Sequence, residues 1–254
     1  MATLRTAERV SREASDNFVF QRSLLAYRAA AERIGGDVLE IGTGSGYGIE
    51  VVAPHAARFV TLDKHTPPVD FARFPGVEFR QAAVPPLPFG DGEFDCVISF
   101  QVIEHIGNDA EFVREIHRVL RPGGRLIVTT PNAPMSLTRN PWHVREYKAD
   151  ELRALLGGCF AEAEMLGVFG NDKVMAYYEQ NRRSVERLAR LDIFDLQHRL
   201  PRRLLQIPYD ILNRINRRRL LKNNTELTVS ISMDDYRLGP VGEESFDLFC
   251  VARK

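Results

Sequence analysis

Cysteine, tryptophan and long apolar runs are scarce in this sequence, and each scarcity excludes something. The three cysteines, Cys96, Cys159 and Cys250, lie far apart and form no Cys-x-x-Cys pair. Neither a zinc site built on such pairs nor a disulfide framework is therefore expected, and a reducing, cytoplasmic setting is. No apolar stretch approaches the roughly 18 residues that a membrane-spanning helix needs, and the N-terminal residues are polar and charged, without the apolar core of a secretory signal. Charge of one sign is missing too. With 34 Lys+Arg against 34 Asp+Glu, the chain as a whole offers no electrostatic case for nucleic acid, which leaves RNA disfavoured as a partner.

What is present suffices for a core. Of the 254 residues, 44% are hydrophobic, enough for one large domain or for a domain with a sizeable insertion. Short runs rich in β-branched residues predict strands at 38–41, 59–62, 77–79, 95–100 and 126–129. Because helical patterns separate them, they predict a parallel sheet buried on both faces. Helices are expected at 18–34, at 149–156 and after Asn108, which with Glu111 three residues on suits a capped N-terminus. Strands at 163–168 and 246–251, with a weaker one at 227–231, end the sheet.

The resulting organisation is an N-terminal helical segment (1–35), a core (36–170), a helical insertion (171–224) and terminal strands (225–254). The insertion stands out by charge, with 13 Lys+Arg against 6 Asp+Glu. Pro201 and Pro208 are expected to divide it into separate helices.

The chemistry begins where the first strand runs into Glu40-Ile41-Gly42-Thr43-Gly44-Ser45-Gly46-Tyr47-Gly48 and the second ends in Asp63. A glycine turn lets a ligand approach the backbone, and an acid at the end of strand two can accept hydrogen bonds from both ribose hydroxyls. A nucleoside-type cofactor is implied. The dinucleotide pattern G-x-G-x-x-G fails at Tyr47, and Glu40 would repel a pyrophosphate while suiting the ammonium of an amino-acid moiety. A phosphate-free adenosine with a cationic tail fits, and S-adenosyl-L-methionine is such a molecule.

Further matches are the Leu87-Pro88-Phe89-Gly90-Asp91-Gly92-Glu93-Phe94-Asp95 segment, Val102-Ile103-Glu104-His105, Val119-Leu120-Arg121-Pro122-Gly123-Gly124 and Thr130-Pro131-Asn132. On these residues the chain resembles the class I S-adenosylmethionine-dependent methyltransferases of the type 11 group related to ubiquinone-biosynthesis enzymes, over about residues 20–170. The resemblance implies a Rossmann-like α/β fold, with a seven-stranded mostly parallel sheet, helices on both faces and acceptor-recognition elements in the insertion, which is expected to cover the methyl donor as a helical cap because it begins and ends at the same edge of the sheet. It implies a cofactor site of Glu40, Gly42, Thr43, Gly44, Gly46, Tyr47, Asp63 and Gln101. One departure is Gln81-Ala82-Ala83-Val84, where many members carry an Asp beside the adenine.

Methyl transfer to oxygen needs a positioned acceptor and a base or metal to remove its proton. Glu104 and His105 resemble part of the Glu-x-x-Glu-His metal cluster of ubiquinone-type and small-RNA O-methyltransferases, with Gln101 in place of the first Glu. His143, in a His-x-x-Glu-aromatic segment, aligns with a further metal histidine of the small-RNA enzymes. Glu104, His105 and His143 are thus the candidate catalytic residues and the candidate ligands of a divalent Mn, Fe, Co or Zn ion. An unassisted His105 base and a purely structural Glu-His pair are the other readings.

For Arg182, Arg183 and Arg187 in the insertion, a solvated ion-paired face stands beside recognition of an anionic acceptor. Homodimerisation through the insertion's apolar residues is a third reading. The expected function is O-methylation of a hydroxylated small molecule or saccharide. The alternatives are a metal-assisted RNA 3′-terminal 2′-O-methyltransferase and a cofactor-binding scaffold without transfer.

Overall fold

The computed structural model describes residues 10–190, 192 and 196–254. Its strands are β1 (Asp37–Ile41), β2 (Arg58–Asp63), β3 (Val77–Gln81), β4 (Phe94–Phe100), β5 (Leu120–Pro131), β6 (Glu162–Gly170), β7 (Tyr236–Pro240) and β8 (Asp247–Arg253). They form one sheet in the order β3-β2-β1-β4-β5-β8-β6-β7. The β3-to-β5 part is parallel, and β8 enters antiparallel between β5 and β6. The sheet has eight strands, not the expected seven. The extra strand is β7, which pairs antiparallel with the outer side of β6, Leu238 opposite Val168.

The helices are α1 (Asn17–Ala31), α2 (Ile49–Val52), α3 (Asp109–Val119), α4 (Ala149–Gly157), α5 (Asp172–Ala189), α6 (Leu196–Arg199), α7 (Arg202–Asn223) and α8 (Thr225–Ser230). Alternation along the strands feeds two cores. Leu39, Val97, Leu126 and Val128 pack on one face with Phe112, Ile116, Leu152 and Leu156 of α3 and α4. Val38, Ile98, Ile127 and Phe249 pack on the other with Ala30 and Tyr27 of α1 and Val174 and Tyr177 of α5. Asn108 caps α3 as its sequence predicts, its side chain accepting from Glu111 N at 3.2 Å.

Two local expectations are corrected. The strand expected at 227–231 is helix α8, in which Thr228 is buried and its hydroxyl donates to the Asn224 carbonyl at 2.9 Å. Packing against α1, α5 and α7 overrides the β-propensity of Leu227-Thr228-Val229. Pro201 does start a helix, but α7 runs through Pro208. The carbonyl that a proline leaves unbonded four residues back belongs to Leu204, itself 63% exposed, so solvent can satisfy it.

The insertion helices stand over the loop that follows β5. Tyr178 of α5 donates to the Met135 carbonyl at 3.1 Å, Trp142 Nε1 donates to Asp210 of α7 at 3.0 Å, and Arg202 donates to the Val144 carbonyl at 2.7 Å. Among the described residues no helix is long and apolar enough to cross a membrane.

Candidate functional site

At the carboxyl edge of β1 the chain turns through Gly42, Gly44 and Gly46, with φ of 98°, 58° and 79°, a region L-residues avoid. A Cβ on Gly46 would stand 2.2 Å from Val69 Cγ2, whereas one on Gly44 would meet nothing nearer than the Gly42 carbonyl at 4.0 Å. Gly44 therefore faces open space. Asp63, at the end of β2, closes the turn: its Oδ2 accepts from Gly44 N at 2.9 Å and its Oδ1 from His65 N at 2.8 Å. The half-buried carboxylate is held beside the glycines. Across from it Gln101 follows β4 with φ 55°, and among the described residues no other non-glycine has positive φ. Its N–H donates to the Thr129 carbonyl at 2.9 Å. A strained backbone at the carboxyl edge of an α/β sheet marks the place where such sheets take their ligands. A backbone-lined turn with an acid at its rim fits the ribose and amino-acid ends of the implied cofactor.

Glu40, Thr43 and Tyr47 lie beneath this turn. Glu40 is buried, its two oxygens accepting from Tyr27 at 2.8 Å and from Thr61 at 2.5 Å. The Thr43 hydroxyl bonds that of Thr61 at 2.6 Å, and the Tyr47 ring packs edge-on against Phe20 and Tyr27 of α1. Gln81, at the end of β3, is tied to the Lys64 carbonyl at 3.1 Å and to Thr66 at 3.2 Å.

Burial pushes the Glu40 carboxyl from 4.5 up to about 7, against the lowering effect of the Thr61 and Tyr27 hydroxyls. A carboxyl raised on folding contributes stability that is complete below its unfolded value and lost as pH rises through its folded one. The ligand-free protein should accordingly lose on the order of 3 kcal/mol between about pH 4.5 and 7 from this group. Thermal melts across that range are expected to show the loss in the native chain and a flatter curve in Glu40→Gln.

The second group of side chains gathers at β4, β5 and the loop beyond. Glu104 is buried and accepts from the Thr130 hydroxyl at 3.0 Å, while its carbonyl accepts from Val144 N at 2.7 Å. This ties the two loops together. His105 Nδ1 lies 3.1 Å from the Trp142 carbonyl and Nε2 lies 4.0 Å from Glu104 Oε1. Burial pushes the His105 imidazole down to about 4, so it is neutral at pH 7. The rings of His105 and His143 are 5.0 Å apart, centroid to centroid. His143 Nδ1 lies 2.8 Å from Glu146 Oε1 and Nε2 lies 2.8 Å from the Asn140 amide nitrogen. These partners assign the tautomer, with Nδ1–H donating to Glu146 and Nε2 accepting from Asn140. Burial opposes ionisation of Glu146, but hydrogen bonds from His143 and Ser136 outweigh it and hold the carboxyl below its ordinary range.

His143 and Glu146 open into a cavity of about 220 Å³ between α1, α5, α7 and the loop after β5, together with Tyr177, Tyr178, Tyr209 and Asn216. The inward polar residues of α7, Asn213, Asn216 and Arg217, were not singled out by any motif in the sequence. Arg182 points away from the cavity, paired with Glu179 at 2.7 Å and Glu186 at 3.5 Å on its own helix, and Arg183 and Arg187 are exposed. The geometry agrees with the solvated-face reading of these arginines.

The family model described as a methyltransferase domain matches residues 39–128. A Mycolicibacterium smegmatis protein described as a probable S-adenosylmethionine-dependent methyltransferase is 44% identical over 165 residues, 61% of this chain and 64% of that one. The match thus spans less than two thirds of the relative's length. Among solved structures, a Thermotoga maritima SAM-dependent methyltransferase, described as a possible histamine N-methyltransferase, superposes with TM-score 0.58 at 16% identity, covering 93% of this chain and 92% of that one. The cyclase SpnF does so with TM-score 0.53 at 20% identity, covering 94% and 80%. Glycine turn, sheet order and family match agree: residues 39–128 match a methyltransferase domain, and the fold is one shared with a SAM-dependent methyltransferase.

Proposed function

We propose that the chain transfers the methyl group of S-adenosylmethionine to a hydroxyl oxygen of a small molecule or saccharide, with His143 receiving the hydroxyl proton. The observation that carries this reading is the His143–Glu146 pair inside the cavity beneath α5 and α7. The relative's description supports the donor, while the likeness to a cyclase shows why the reaction must be argued from the site and not from the fold.

Gly42, Gly44, Gly46, Asp63 and the Gln101 backbone would hold the donor. When bound, it supplies a methyl group on a positively charged sulfur, a leaving group that needs no acid. The chain's own work is to orient the acceptor and remove its proton. Glu146 fixes the His143 tautomer so that Nε2 is the accepting nitrogen, and an acceptor hydroxyl would replace the Asn140 amide there. Burial depresses the basicity of His105, which weakens its case as the base.

Acceptor size and polarity follow from the lining. His143 and Glu146 also line a second cavity of about 430 Å³, near the lower end of the roughly 300–1,000 Å³ of pockets for drug-sized ligands, which favours a small acceptor over RNA. The cations of the smaller cavity, Arg22 and Arg217, already face Asp247 at 2.9 Å and Asp16 at 2.7 Å. A neutral hydroxylated molecule packed on Tyr177, Tyr178 or Tyr209 fits better than an anion. Incubating the chain with S-adenosylmethionine and separate panels of alcohols, phenols, saccharides and amines, and reading S-adenosylhomocysteine release, tests this. Turnover confined to amines would overturn the oxygen assignment.

One observation favours a metal-assisted variant. Donor atoms of Glu104, His105 and His143 lie within 4.8 Å of one another. Two ligands each about 2.1 Å from an ion cannot be more than about 4.2 Å apart, so side chains at the outer separation would have to move inward. Binding through His143 would also cost it Glu146 or Asn140. Activity is therefore expected to survive exhaustive chelation. Loss of turnover restored by Mn, Fe, Co or Zn would replace the base mechanism with the metal one.

A further inference from the structure

Helix α7 is turned inside out. Toward the protein it presents Tyr209, Asn213 and Asn216, which line the cavity, and the buried Asn216 bonds Ser184 at 2.6 Å and Asn181 at 2.8 Å. Toward solvent it presents Leu204, Ile207, Ile211, Leu212 and Ile215, exposed by 51–64%. At 3.6 residues per turn these five fall within an arc of about 140°. Eight large apolar side chains are exposed among the described residues, so more than half of them sit on this one face.

Charge tells what the face suits. The helix carries seven Lys+Arg against a single acid, Asp210. Exposed Arg218, Arg219 and Lys222 continue the apolar arc beyond Ile215, and Arg203 and Arg214 flank it. A second copy is a poor occupant, because a two-fold axis would set this cationic helix against itself. The stripe is wholly aliphatic, without the Tyr, Trp or Met in which protein interfaces are enriched. Acyl chains beneath anionic headgroups match both features.

We propose that the outer face of α7 docks on an anionic lipid surface, its Leu and Ile side chains at the acyl boundary and its cations on headgroup phosphates. The helix lies in the interface and does not span it. This does not rest on the reaction assigned to the cavity.

Cosedimentation of the purified chain with vesicles tests it, comparing mixed phosphatidylglycerol–phosphatidylcholine with phosphatidylcholine alone. The chain is expected to sediment with the anionic vesicles and to be released by salt. Arg218→Gln/Arg219→Gln should lower the partition coefficient about thirtyfold, roughly fivefold for each cation. Ile211→Glu/Ile215→Glu should abolish binding with an unchanged circular dichroism spectrum and melting temperature, since both side chains face solvent. Ile211→Trp should gain a blue-shifted emission on anionic vesicles. Equal binding to neutral vesicles, no binding to either, or wild-type partitioning of Ile211→Glu/Ile215→Glu would overturn the proposal. So would a native dimer that the glutamate variant splits into monomers, which would assign the face to a second copy.

Discussion

Replacing His143 by alanine is expected to lower kcat by about 10²–10⁴, the usual contribution of a positioned base, while leaving S-adenosylhomocysteine affinity unchanged. The expectation rests on the hydrogen-bond chain Glu146–His143–Asn140, all three residues of which line the cavity. Glu146→Gln keeps an acceptor on Nδ1 and should cost less. His105→Gln should also cost less than His143→Ala, because burial has already made His105 a weak base at pH 7. The measurement is steady-state turnover with any hydroxylated acceptor that the native chain methylates. A His105 variant more damaged than the His143 variant would move the base to His105.

The other large effect concerns the donor. Asp63→Ala is expected to weaken S-adenosylhomocysteine roughly 10- to 150-fold, the range for lost hydrogen bonds to a charged group. Part of that loss would come from releasing Gly44 N and His65 N, both now bonded to the carboxylate. Gly44→Ala separates fold from function. Its Cβ meets no atom of the chain nearer than 4.0 Å, so beyond the local cost of φ 58° it should fold, yet it places a methyl group where the donor would lie. Gly46→Ala differs in kind, since its Cβ collides with Val69 and should disturb the turn itself. Calorimetric titration with melting temperatures distinguishes the two.

The parts of this molecule legible from sequence are those whose cause is local. β1, the glycine turn and Asp63 could be read because turn geometry and strand ends are written in a few consecutive residues, and α3 because Asn108 and Glu111 announce its start. β7 was missed because an edge strand of Tyr236-Arg237-Leu238-Gly239-Pro240 exists only through pairing with β6. The strand expected at 227–231 became α8 for the same reason in reverse, tertiary packing deciding against local propensity. At the site, the motif around His143 pointed to the residue but not to its partner. Glu146 became visible as the orienting carboxylate only when the loop closed on itself. Asn213, Asn216 and Tyr209 converge only because α7 folds its polar side inward, which no solvent-facing pattern predicts.

The glycine turn and Asp63 are expected to hold a phosphate-free, cationic adenosyl ligand. Titrating the native chain by calorimetry with S-adenosylhomocysteine and, separately, with NADH tests this most directly. Saturable one-to-one binding of S-adenosylhomocysteine, weakened in Asp63→Ala and lost in Gly44→Ala, with no heat from NADH, is the predicted result. Binding of NADH as tight as that of S-adenosylhomocysteine, or retention of S-adenosylhomocysteine by both variants, would contradict it.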